Sequence, residues 1–469
     1  MGKPKINCRI NTPQSIVQKM LDILGYRENL YGQRILENSC GNGRFLIEIV
    51  KRYITDCRLN GYNDNEIRDG LTRDICAFEI DQTTFEECIS NLNQLAEEHG
   101  ITEVKWSVFN TDALKAEIPA NFTYVIGNPP YITYSALSKA DREYIRKKFS
   151  VCTEGKPDYY YAFIECGLNC LEANGRMVYL IPSNFFKTKF ARQVRTFLLP
   201  TLCDVYDYKG QRIFDSAMTA STIVVCDKGV ISNSIVYHDV MTNEEREIDK
   251  RLLEDRWIFI EESKQSSSVV PIRFGDRYRA SSSIATLFND AFIIEADSPE
   301  LVLVESNVLR KAVSPKLKST NTKKWIIFPY YFDEKGTLQR YSEESFKSLF
   351  PKATAHLEKY KVQLNSRDSD KTAKWFEYGR SQAIKHVDQK KLLLSTIITK
   401  NVKVMMLDEE SIPYSGVYII ALKDYDLTDA KAILESPEFF EYAKTVGVRV
   451  NGSSIRIAIR DINNYVFSQ

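Results

Sequence analysis

The chain has 469 residues, 43% hydrophobic and 12% aromatic, too long for one ordinary domain and apolar enough for two full cores. It has no apolar run of about 18 residues, no apolar stretch in residues 1–10, no Cys-x-x-Cys pair among ten cysteines, and only four scattered histidines. A membrane span, a secretory leader and a metal site are therefore not expected, and a reducing cytoplasm is the simplest home. The net charge of +1 conceals a segment, 310–403, with 21 Lys/Arg against nine Asp/Glu, and this local excess of +12 fits a polyanionic partner.

In chain order, Thr12-Pro13 opens a helix over 14–25 that Gly25 stops. A strand over 34–37 leads through a loop at 38–43 into a helix at 44–53. Residues 55–73 are polar and poorly patterned and read as an insertion. Strand 75–80, helix 83–99 and strands 104–109 and 123–126 follow. Next come helix 158–173, strand 176–182, helix 190–199 and strands 205–208 and 222–226. This alternation predicts an α/β domain over 1–235, with an open, mostly parallel sheet and helices on both faces. Ligands of such sheets bind at the carboxyl ends of the strands. Past 235 the pattern changes to short strands at 257–260, 325–329, 392–398, 402–407 and 416–422, with helices at 428–434 and 438–446. This predicts a mixed α+β domain over 236–469, with 264–268 and 281–283 as linkers or exposed loops.

Chemistry-bearing residues stand just past four successive strands. The first loop reads Glu37-Asn38-Ser39-Cys40-Gly41-Asn42-Gly43-Arg44-Phe45-Leu46. Gly41 and Gly43 let the backbone turn tightly against a ligand. Leu46 stands where a dinucleotide fingerprint needs a third glycine, and there is no Gly-Lys-Ser/Thr, so a nucleoside without pyrophosphate fits better. At the second strand's end Glu79, followed by Ile80, can accept both hydroxyls of a ribose. After the third strand, Asp112 beside Ala113 can accept from an adenine amine. After the fourth comes Asn128-Pro129-Pro130-Tyr131. The prolines stiffen this loop, the Asn128 amide oxygen and the Pro129 carbonyl can accept from an exocyclic amine, and Tyr131 can stack on its ring. A plain proline turn would read the same way, but the series of strand-end acids favours an amine clamp.

In this order the motifs resemble the gamma-class S-adenosylmethionine-dependent DNA adenine-N6 methyltransferases of restriction–modification systems, over residues 10–228. The resemblance implies a Rossmann-like class I methyltransferase fold. It implies that Thr12 closes over the methionine end of S-adenosylmethionine, and that Glu37, Cys40, Gly41, Gly43, Glu79, Ile80, Asp112, Ala113 and Asn128 complete the cofactor site. Asp158-Tyr159-Tyr160-Tyr161-Ala162-Phe163 is similar to the family's Asp-Leu-Tyr-x-x-Phe helix start. Gly175-Arg176 through Pro182-Ser183-Asn184-Phe185 resembles its next strand and loop. Ile213-Phe214-Asp215-Ser216-Ala217 looks like the segment whose phenylalanine stacks on the second face of a flipped base. Asn38 replaces the usual proline of the cofactor loop and is expected to loosen it without removing a contact.

Farther on, Trp325 to Tyr330, Leu364-Asn365-Ser366-Arg367 and Trp375 to Arg380 resemble a TaqI-like target-recognition domain. Arg367, Lys371, Lys374, Arg380 and Lys385 are its expected DNA contacts. The implied activity is methyl transfer to N6 of an adenine flipped out of duplex DNA, by a chain expected to act as a monomer. Its place would be the cytoplasm of a bacterium or archaeon, on the nucleoid when DNA-bound. Because the motifs begin at Thr12, a cognate restriction enzyme is expected on a separate chain. RNA or protein glutamine amines as acceptors, and a DNA-binding subunit with an inactive core, are the alternatives.

Overall fold

Helix α1 (Gln14–Leu24) follows Pro13 and ends at Gly25, whose φ of 84° lets its N–H turn back onto the last carbonyls. The computed structural model describes residues 11–467 except 210, 212, 215–219, 254, 260–270, 316–322 and 451–453. They fall into two compact units, Met1–Glu261 and Glu262–Gln469.

In the first unit, β1 (Ile35–Glu37), α2 (Arg44–Leu59), α3 (Asp64–Asp74), β2 (Ile75–Phe78), α4 (Gln82–Glu98), β3 (Ser107–Phe109) and β4 (Phe122–Gly127) follow α1. Then come α5 (Lys139–Lys148), α6 (Tyr160–Cys170), β5 (Leu171–Pro182), α7 (Arg192–Leu198), β6 (Leu202–Asp207), β7 (Ser221–Asp227), β8 (Ser234–Asp239) and β9 (Glu244–Asp249). All nine strands join one sheet, in the order β3-β2-β1-β4-β5-β7-β6-β8-β9. The first five are parallel, and β7 runs antiparallel between β5 and β6. This is the expected α/β architecture, an open and mostly parallel sheet.

Central strands covered on both faces should be apolar throughout, and β1 and β2 are buried at every residue. Successive residues feed opposite cores. Leu36, Val125, Met177 and Tyr179 pack on one face, and Ile35, Ile126, Val178 and Leu180 on the other.

Several expectations are corrected. Residues 55–73 are not an irregular insertion. α2 runs on to Leu59, and a capping box starts α3: Asn63 accepts from the Glu66 amide while Glu66 accepts from the Asn63 amide. Ile67 and Leu71, four residues apart, then bury one face of α3. β5 begins at Leu171 and takes the end of the expected helix 158–173. Helix α5 was not expected. Its only buried side chain is Ile145, so the apolar stripe that would reveal it is missing. The break expected at 235/236 falls inside β8, and β8 and β9 continue the sheet, so the first unit reaches residue 261. Residues 257–259 are not a strand. The Trp257 amide donates to the Phe186 carbonyl and its indole packs on Phe185 and Phe186.

In the second unit, Tyr278–Ser282, Val417–Ala421, Lys391–Leu394 and Val404–Leu407 form one four-stranded sheet. Ile293–Glu295, Lys324–Ile327, Leu309–Val313 and Ser411–Pro413 form another. Ser281 and Ser282, expected in a loop, pair with Tyr418 and Val417. The expected linker 264–268 lies outside the described residues. The expected helices at 428–434 and 438–446 are Leu427–Glu435 and Pro437–Val446, each capped by a side chain, Asp426 and Ser436, and further helices that were not expected include Glu343–Leu349 and Pro351–Glu358. Among the described residues, no helix is long and apolar enough to cross a membrane.

Candidate active site

The chain leaves β1 toward β2 on one side and returns through β4 on the other, so the strand order reverses between β1 and β4. Loops leaving two such strands diverge and open a crevice at their carboxyl ends. Glu37 is the last residue of β1, and Asn128 follows the last residue of β4. A Cβ on Gly127 would stand 3.7 Å from Glu37 Cγ and 4.0 Å from Ser39 Oγ, so the two loop starts are neighbours.

Three oxygens here are buried without a hydrogen-bond partner: Glu37 Oε2, Ser39 Oγ and Asn128 Oδ1. Each such group costs about 1–3 kcal/mol unless something completes it. Burial, with Cys88 and the Glu79 carboxylate close by, raises the Glu37 carboxyl well above the usual range. The Asn128 amide donates to Thr12 Oγ1 at 3.2 Å, which leaves its oxygen free to accept.

The glycine loop supports the same crevice. Gly41 and Gly43 have φ of 53° and 87°. A Cβ on Gly43 would collide with Cys88 Sγ at 2.8 Å, whereas one on Gly41 would point into open space. Glu79 accepts from the Gly41 amide at 3.0 Å and the Asp81 amide at 2.8 Å, which fixes its carboxylate at the strand end. Beside it Ile80 is 67% exposed and Phe109 47% exposed, an apolar surface open to a flat group. Asp112 accepts from the Leu114 amide and pairs with Lys115 at 3.3 Å, while Ala113 is buried in the core. The orphaned oxygens, the open glycine and the strand-end carboxylate together suit a nucleoside bearing a cationic tail. Cys40 is buried, and its amide donates to the Phe78 carbonyl.

The loop after Asn128 is braced at several points. Tyr131 Oη donates to the Leu180 carbonyl at 2.9 Å, and its ring meets Tyr160 edge-on. The Tyr159 amide donates to the Ile132 carbonyl, and Asp158 accepts from the Tyr134 amide at 3.2 Å. The Tyr134 ring lies under two guanidiniums, Arg142 at 4.9 Å and Arg146 at 5.2 Å. Sequence reading missed this brace, although the i,i+4 arginines eight and twelve residues past Tyr134 were a usable signal. It also missed Ser39, whose lack of a partner leaves no local trace.

Asn38 does not loosen the loop. Its side chain accepts from Tyr179 Oη at 2.8 Å and donates to the Phe163 carbonyl, tying the cofactor loop to β5 and α6. Phe214 is 2% exposed in the same apolar cluster against which Tyr131 packs. A ligand could reach its ring only after it is uncovered. Asp215, Ser216 and Ala217 lie outside the described residues.

The expected basic contacts of the second unit divide in two. Arg367 donates to four main-chain carbonyls, those of Leu364, Thr286, Trp375 and Glu377. Lys374 donates to the Tyr341 carbonyl, and Arg380 pairs with Asp368 and Asp370. Lys371 and Lys385 stay exposed.

Residues 28–214 match the Eco57I restriction-modification methylase family. The chain is 28% identical to the type II methyltransferase M.PaeR7I of Pseudomonas aeruginosa, over 40% of this chain and 34% of that protein. It is 23% identical to the type II methyltransferase M.BstVI of Geobacillus stearothermophilus, over 95% of this chain and 87% of that protein. The type IIL restriction-modification enzyme MmeI, solved in complex with DNA, has a similar fold, with a TM-score of 0.60 and 15% identity over 96% of this chain and 64% of that one. The chain thus matches about a third of the length of M.PaeR7I and most of that of M.BstVI, both type II methyltransferases.

Proposed function

We propose that this chain is a gamma-class, site-specific DNA methyltransferase that modifies N6 of an adenine flipped out of duplex DNA, with S-adenosylmethionine as donor. The observation that carries this reading is the buried, partnerless Asn128 oxygen on the loop beside Glu37, whose Oε2 is also buried without a partner, where the strand order reverses. The homology to type II methyltransferases and the DNA in the MmeI complex support DNA as acceptor.

Thr12, Glu37, Gly41, Gly43, Glu79, Ile80 and Asp112 would hold the cofactor, whose positive sulfonium supplies an electrophilic methyl group. Asn128 Oδ1 and the Pro129 carbonyl accept the hydrogens of the adenine amine and turn its lone pair toward that methyl. Pro129 and Pro130 keep the acceptors fixed, and the brace at Tyr131 and Tyr134 keeps the loop from opening, so catalysis rests on positioning and electrostatics. Flipping costs a few kcal/mol. Stacking on Tyr131, and on Phe214 once it is uncovered, offsets about 1–3 kcal/mol per ring. The second unit, with a TaqI-like role, would select the site. The chain would act as a monomer in the cytoplasm, on nucleoid DNA, alongside a separately encoded restriction enzyme.

Asn128→Ala is expected to lose at least about a hundredfold in methyl transfer to DNA while calorimetry shows cofactor binding largely intact. Transfer at near wild-type rate would reject the assignment. Single-molecule sequencing of DNA from expressing cells reads the marked atom, and a mark on a cytosine would reject adenine while keeping the amine clamp.

A further inference from the structure

We infer that a surface of the second unit formed outside the 367–385 stretch, around the strands Ile397–Ile398 and Ile455–Arg456, is a duplex-DNA contact surface. The inference rests on DNA being the acceptor. It goes further by naming the surface and the residues.

Strand Ile455–Arg456 pairs antiparallel with both Ile397–Ile398 and Val448–Arg449. Thr399 Oγ1 and Ser454 Oγ lie 2.9 Å apart and tie the first pair together. Arg456 stands directly opposite Ile397, so both side chains leave the same face of the sheet. Ile397 lines a groove of about 460 Å³ whose polar lining is Ser395, Thr399, Lys400, Asn401 and Lys403, with no acidic residue among its walls. Ile398, Val402, Met405 and Pro315 complete its apolar part.

The charges set this face apart. Lys400, Lys403 and Arg456 are all exposed, and none forms an ion pair among the described residues, while Arg449, opposite Ile455, leaves the other face of the sheet. Glu435 accepts the Val404 amide instead. The contrast with Arg367, Lys374 and Arg380, which have internal partners, is direct. Arg456 comes from about fifty residues beyond Lys403, so only the fold gathers the three cations.

Unpaired cations around a groove are complementary to a phosphodiester backbone. The other groups suit base edges: an amide at Asn401 for adenine, hydroxyls at Ser395 and Thr399, and the Ile397 side chain for a thymine methyl. Lysine and arginine would thus hold register while Asn401 and its neighbours read sequence.

The test uses the full chain and a fluorescent mixed-sequence DNA duplex. Lys400→Glu combined with Arg456→Glu is expected to weaken binding at least about tenfold by anisotropy, and to flatten its salt dependence by about 0.9 per lost contact. Cofactor binding by calorimetry should stay at the wild-type level. Where the double reversal unfolds, Lys400→Gln with Arg456→Gln is expected to show the same change in salt dependence on a folded chain. Asn401→Ala should broaden the set of methylated sites in sequenced DNA with little change in mixed-sequence affinity. Wild-type affinity and salt dependence in the charge variants, with DNA methylation intact, would overturn this surface alone. A wild-type chain that neither binds nor methylates DNA would overturn it together with the proposed function.

Discussion

At the carboxyl ends of β1 and β4 the first unit leaves Glu37 Oε2, Ser39 Oγ and Asn128 Oδ1 buried without partners, whereas in the 367–385 stretch of the second unit Arg367, Lys374 and Arg380 all have internal ones. The first arrangement is unstable by itself and makes sense where a ligand completes it. The three cations of the second are satisfied as they stand, although Ser369 Oγ beside them is buried without a partner. Polar residues that look functional in sequence are thus of two kinds, and the difference lies in whether the fold has already satisfied them.

The largest test of that contrast removes a satisfied group. Arg367→Ala leaves carbonyls of four residues short of a donor and is expected to destabilise the second unit by about 2–4 kcal/mol in chemical denaturation. Arg367→Lys should rescue little of it, because an ammonium lacks the guanidinium fork. Unchanged stability in both variants would return Arg367 to the list of DNA contacts. Next comes Asn38→Ala, which strands the buried Tyr179 hydroxyl and should destabilise the first unit by about 1–3 kcal/mol. A neutral result would restore the view of Asn38 as a loosening substitution.

Glu37→Gln probes the unsatisfied side and should have the opposite sign. Its carboxyl is raised above the ordinary value of 4.5 in the folded state, so between that value and the raised one the native chain holds a proton that the unfolded chain has lost. Stability contributed by this group therefore falls as pH rises through that window. The ligand-free Glu37→Gln chain should gain stability at alkaline pH and nothing at acid pH, while losing cofactor affinity. Thermal melts across pH decide this, and a variant that is less stable at alkaline pH contradicts it. The smallest effects belong to Lys371→Ala and Lys385→Ala. Each should reduce DNA affinity about threefold and the salt slope by about 0.9, with no loss of stability. A larger loss than that of the Lys400/Arg456 pair would move the DNA face back to the 367–385 stretch.

Much of the first unit was legible because its signals are local. Alternating apolar runs, Gly25 at a helix end, Gly41 and Gly43 at positive φ and the prolines of 128–131 each act within a few residues. The helix α3 was less legible, because its capping box sits in a polar run and its buried face is only Ile67, Gly70, Leu71 and Asp74. The boundary at 235 was misplaced because β9 is mostly charged, with only Ile248 buried, so the sequence there lacks the apolar run of a central strand.

The order of motifs along the chain determined the α/β alternation and the placing of Glu37, Glu79, Asp112 and Asn128 past successive strands, since periodicity and turn chemistry are written in neighbouring residues. Only the tertiary structure decided which polar groups are left without partners. That outcome depends on residues far apart in sequence: Thr12 with Asn128, Asn38 with Tyr179, Arg367 with Thr286, and Arg456 opposite Ile397. A long cation can fold back onto a carbonyl or stand free in water with the same local sequence, and the choice belongs to whatever the fold brings beside it.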